Sequence, residues 1–65
     1  MDDERDAVAA LAHDLRSPLA VIELYSGMLE QGAEGLDEDK RAEYVARIRT
    51  AVDDMRTTLD RASAR

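Results

Sequence analysis

Sixty-five residues with a formal net charge of -6 and no cysteine allow one small domain, without disulfides or thiolate metal sites. The negative sign disfavours nucleic acid and anionic membrane surfaces, which both select a basic face. A chain this short closes little core by itself; with disulfides excluded and one histidine too few for a zinc site, a partner subunit remains the way to complete it.

The first element in chain order is a long helix, expected over about residues 2–31. Only Pro18 and Gly27 interrupt an otherwise helical stretch. Val8, Leu11, Leu15, Pro18, Ile22, Tyr25 and Leu29 alternate spacings of three and four, the a/d rhythm of a helix in a bundle. The acidic start, Asp2, Asp3 and Glu4, suits the positive end of the helix dipole and does not resemble a secretory signal. The longest apolar run, residues 19–22, falls far short of the roughly 20 residues of a membrane span. The expectation is a cytoplasmic segment that makes no membrane contact itself, any anchor lying outside these residues.

Gly32-Ala33-Glu34-Gly35-Leu36 is the one break, and the loop is expected at about 32–37. Gly32 is expected to adopt the left-handed conformation that ends a helix, and Asp37 to cap the next one, with Glu38 and Asp39 in its first turn. A loop this short returns the chain antiparallel. The second helix is expected over about 38–64, with Val45, Ile48, Val52, Met55, Leu59 and Ala62 as its apolar stripe. Glu43, Arg47, Asp54 and Asp60 form its solvated face. A lone hairpin cannot bury both stripes. The expected fold is therefore all-α: an antiparallel helical hairpin that pairs as a symmetric homodimer into a four-helix bundle.

The chemistry concentrates in Ala12-His13-Asp14-Leu15-Arg16-Ser17-Pro18-Leu19, which holds the only histidine and the only proline. Pro18 cannot donate to the carbonyl of Asp14 and crowds it, at about 3 kcal/mol in a helix interior. A bend is expected there, one turn after His13. With Val8 and Leu15 at a, His13 falls at f, farthest from the core, with Asp14 next to it at g and Ser17 at c, one turn on and on nearly the same face. Ala20, Val21, Leu24, Gly27 and Met28 occupy f, g and c positions that a solvated helix fills with polar residues. Such a face suits a docking partner. A wider bundle core would instead absorb Val21 and Met28, and less readily Ala20 and Leu24.

A neutral imidazole is a competent nucleophile, and a carboxylate such as Asp14 can hold the ring or accept its proton. The Ser17 hydroxyl can position a water or a phosphoryl oxygen. Nothing completes a serine triad, and glycines at 27, 32 and 35 match no phosphate-binding loop. A purely structural hairpin would explain the apolar stripes, but neither the proline nor the apolar outer face.

The block 12–19 resembles the H-box of sensor histidine kinases: His, an acidic residue, often Leu-Arg, then Thr, Asn or Ser, then Pro-Leu. The second half, from Leu36 through Tyr44 and Ile48 to Leu59 and Ser63, is similar to the second helix of that family's dimerisation and phosphotransfer domain. The resemblance implies that His13 accepts the γ-phosphoryl of ATP, with Asp14 as its acid–base partner. Ser17 stands where many members carry Thr or Asn to orient water for dephosphorylating the partner, and Pro18 would supply the bend used in signalling. Arg16, Ala20, Leu24 and Gly27 would dock a response-regulator receiver domain, whose aspartate takes the phosphoryl group. The chain itself would bind no cofactor and no metal. ATP with magnesium would come through a catalytic domain that lies outside these residues or acts in trans. A relay protein that passes phosphate between receivers would share the same His13 chemistry.

Overall fold

The computed structural model describes residues 2–32 and 35–64. Helix α1 spans Asp2–Gln31 and α2 spans Glu38–Ser63. Helix α2 begins with Glu38 and Asp39 in its first turn, where carboxylates suit the unpaired backbone N–H groups. Asp37 caps α2: its backbone is extended (φ -77°, ψ 170°), and its Oδ1 accepts from the Lys40 N–H at 2.7 Å. Its carbonyl then accepts the first helical bond, from the Arg41 N–H at 3.0 Å. At the far end the Ala64 N–H still donates to the Asp60 carbonyl at 3.0 Å.

The end of α1 corrects the expectation for Gly32. No described residue has a positive φ, so Gly32 is not left-handed. Its N–H continues the helical pattern by donating to the Met28 carbonyl at 2.9 Å, and its own carbonyl accepts from Gly35 and Leu36, both at 2.9 Å. The glycine answers a packing need. A Cβ there would sit 3.0 Å from the Met28 oxygen and 3.2 Å from the Leu36 Cγ, because Leu36 folds back over the helix end. Residues 33 and 34, in the middle of the expected loop, lie outside the described residues.

The helices run antiparallel. Near the loop the rings of Tyr25 and Tyr44 meet at 5.3 Å, tilted by 44°. Fourteen residues further from the loop on each helix, Leu11 and Thr58 line one shared cleft, in keeping with the register of the tyrosine pair. The same register sets Pro18 level with Ala51, each seven residues from its tyrosine. The molecule measures 51 × 19 × 10 Å, two helices side by side and one helix thick. Thirty residues at 1.5 Å per residue make about 45 Å, so α1 accounts for most of the length.

One layer of two helices has no closed core. Ala51, 3% exposed, is the only buried residue among those described. Around it Pro18, Ile22 and Tyr25 on α1 and Tyr44, Ile48 and Met55 on α2 are half-buried. The apolar stripe of α2 thereby divides. Tyr44, Ala51 and Thr58 turn inward, while Val45 (52%), Leu59 (45%) and Ala62 stay exposed. The reason is geometric: a helix with one neighbour can direct only one edge of an a/d stripe at it. The other edge, Val45, Val52 and Leu59 at seven-residue spacing, forms an open apolar side. On α1 it continues through Val8 (65% exposed), Leu15 and Leu19.

Candidate functional site

The site is built on the middle of α1, which runs unbroken across Pro18. Pro18 is half-buried, level with the small and buried Ala51 of the other helix. Without an N–H on Pro18, the carbonyl of Asp14 has no helical donor four residues on.

His13 is exposed, and its imidazole makes no hydrogen bond or ion pair among the described residues. Its helix face is read off at 100° per residue. Ser17, Ala20 and Leu24 lie four, seven and eleven residues on, within about 40° of the histidine, and all three are exposed. Leu24 at 58% is among the most exposed large apolar side chains. Gly27 continues the strip half-buried, with nothing within 4 Å of the place where a Cβ would stand. Arg16 is exposed beside it. Val21 and Met28, by contrast, are half-buried, turned towards α2. The apolar residues after His13 therefore separate into an open strip of Ala20 and Leu24 and an edge that α2 partly covers.

Asp14 points elsewhere. It is exposed, but it lines a cleft of about 400 Å³ between the helices at the end remote from the loop. Ala7, Ala10 and Leu11 share its wall, and Thr58, Arg61 and Ala62 form the opposite one. Nothing in the sequence reading marked Thr58 or Arg61. Only the hairpin fold brings them to the same cleft as Asp14; in the register of the Tyr25–Tyr44 pair, Arg61 stands six residues nearer the open end than Asp14. Among the described residues no group of three or more His, Cys, Asp or Glu could hold a metal ion. No described helix is long and apolar enough to cross a membrane.

A two-helix hairpin with one apolar side left open, and an unpartnered histidine on a different side, defines a dimerising domain that presents an imidazole. The family model of the His Kinase A (phospho-acceptor) domain matches residues 3–63. The chain belongs to that family, the phosphoacceptor and dimerisation domains of histidine kinases in two-component signalling. Its hairpins pair into four-helix bundles, and the side carrying Val8, Leu19, Val45 and Leu59 is an open apolar side of the kind such pairing needs. No curated protein and no solved structure matches the chain.

Proposed function

We propose that His13 takes the γ-phosphoryl group of ATP from a separate ATP-binding domain and passes it to an aspartate of a response-regulator receiver domain. A neutral ring nitrogen of His13 attacks the phosphorus, a P–N bond forms, and the bond to the oxygen of departing ADP breaks. Asp14 reaches round the helix to hold the other ring nitrogen and take its proton. Magnesium, held with ATP by that other domain, would supply charge neutralisation of the phosphates. Transfer to the receiver reverses the chemistry: the P–N bond breaks and an aspartyl phosphate forms. Ser17 orients water when the phosphorylated receiver is hydrolysed, and Arg16, Ala20, Leu24 and Gly27 seat the receiver. The domain works in the cytoplasm, where ATP and receivers meet it.

The observation that supports this reading is the shared strip. His13, Ser17, Ala20 and Leu24 are exposed along one face, so a partner seated on the apolar part lies beside the imidazole. The test mixes the chain with ATP and a compatible histidine-kinase ATP-binding domain. One acid-labile phosphoryl group per chain is expected, with none in His13→Gln. Asp14→Asn should slow labelling by the 10²–10⁴-fold typical of a lost general base, about the size that isolates its role from a structural one. Ser17→Ala should label nearly as wild type. Ala20→Glu should label but fail to pass phosphate to a receiver, with its helical spectrum intact. Acid-stable label, or label that persists in His13→Gln, would move the chemistry to a hydroxyl.

A further inference from the structure

The cleft beside His13 has no part in the reaction as proposed so far. Ala7, Ala10 and Ala62 leave it wide, and three polar side chains line it: Asp14 from α1, Thr58 and Arg61 from α2. Asp14 and Arg61 are both exposed, and no ion pair joins them. Neither has an opposite charge within reach on its own helix. The residues three and four away from Asp14 are Ala10, Leu11, Ser17 and Pro18, and those preceding Arg61 are Thr57 and Thr58. Arg49 differs, because Asp53 one turn on meets it at 3.7 Å. Consecutive residues on a helix point about 100° apart, so one carboxylate cannot enter the cleft and serve His13 together.

We propose that Arg61 is a positioning residue that competes with His13 for the Asp14 carboxylate. When the open end of the hairpin narrows, Arg61 draws Asp14 into the cleft and His13 loses its acid–base partner. When it widens, Asp14 is released to the imidazole. The spacing of the two helix ends thereby sets the reactivity of a histidine that neither end touches. This rests on the phosphoacceptor role of His13 and Asp14.

The test uses the 65-residue chain with phosphoramidate as donor, so that no ATP-binding domain is needed. The His13 nitrogen attacks the phosphorus of the zwitterionic donor, the donor's P–N bond breaks, neutral ammonia leaves, and Asp14 takes the ring proton. Arg61→Ala should label about two- to fivefold faster at low salt, the range a partly exposed ion pair can shift. Arg61→Lys, which keeps the charge, should match wild type. The acceleration should vanish in about 0.5 M salt, where exposed pairs are screened. It should also vanish in the Asp14→Asn background, an outcome that a general loosening of the helix end would not give. Should Arg61→Ala lose helicity, Arg61→Gln replaces it. Unchanged or slower labelling of the Arg61 variant, or equal acceleration without Asp14, overturns the inference while leaving the phosphoacceptor reading intact. Label that survives in His13→Gln, or no label on the wild type, overturns both.

Discussion

The two ends of the hairpin meet one packing problem with different residues. At the loop end the Tyr25 and Tyr44 rings fill the space between the helices, and Leu36 folds back over Gly32. At the other end the corresponding positions hold Ala7, Ala10, Leu11, Thr58 and Ala62, which leave a cleft of about 400 Å³. Both ends obey the same three-four rhythm, so the difference is one of side-chain volume and not of pattern. Few apolar contacts mean a low cost of local opening, so the loop end anchors the hairpin and the open end is free to adjust. His13 lies in the loosely packed half, between the cleft and the level of the buried Ala51. The charges divide as unevenly. Helix α1 carries seven carboxylates against two arginines, whereas α2 has six of each sign. The cation that shares the cleft with Asp14, Arg61, comes from α2.

The largest effect tests whether the middle of the molecule belongs to a shared bundle core at all. Ile48 is half-buried one turn before Ala51, and pairing of two hairpins completes its burial. An unpaired carboxylate there costs several kcal/mol, on the order of the whole stability of so small a domain. Ile48→Asp should abolish the dimer in sedimentation and most of the helical circular dichroism. A helical Ile48→Asp monomer would mean that each hairpin stands alone.

Truncations at the two ends sharpen the comparison directly. Tyr44→Ala removes a half-buried ring and its partner contact, for about 2 kcal/mol. Leu11→Ala enlarges a cleft that is already open, so little cavity term arises, and about 1 kcal/mol is expected. Both are read from urea midpoints at one fixed protein concentration, since dimer stability depends on it. The reverse ranking would make the open end the anchor.

Much of this arrangement could be read before any coordinates. The carboxylate-rich starts of both helices, the Asp37 cap, and the exposure of His13, Ser17, Ala20 and Leu24 follow from local chemistry and a helical period. What escaped depends on the partner helix. Tyr44, Ala51 and Thr58 face inward because of where α1 lies, whereas a heptad count on α2 alone gives the stripe Val45, Ile48, Val52, Met55, Leu59 and Ala62 without saying which of its edges meets α1. Gly32 misled for a related reason. A glycine after a helix suggests a left-handed turn, yet here the constraint is the return of Leu36 against it, a contact no local rule anticipates. Arg61 was invisible in the same way: its meaning lies in the register, which two tyrosines nineteen residues apart in sequence fix in space.

The smallest expected effect is the most direct probe of the looser end. Ala10→Leu adds three carbons to the wall of the cleft. Inside a filled core such an insertion costs about 1–3 kcal/mol, because neighbours must leave their rotamers. Here the cleft is open to water, so the added carbons meet no wall, and only part of their surface leaves solvent. Full burial would be worth about 0.8 kcal/mol per methylene; partial burial, set against the lost freedom of the side chain, should leave stability within about 0.5 kcal/mol of wild type. The urea midpoint should therefore barely move, whereas an insertion of equal size at the Tyr25–Tyr44 contact should lower it clearly. If Ala10→Leu instead costs more than about 1 kcal/mol, the two ends are packed alike in solution. The cleft would then be closed, Asp14 and Arg61 would be held together, and the freedom on which their competition depends would be gone.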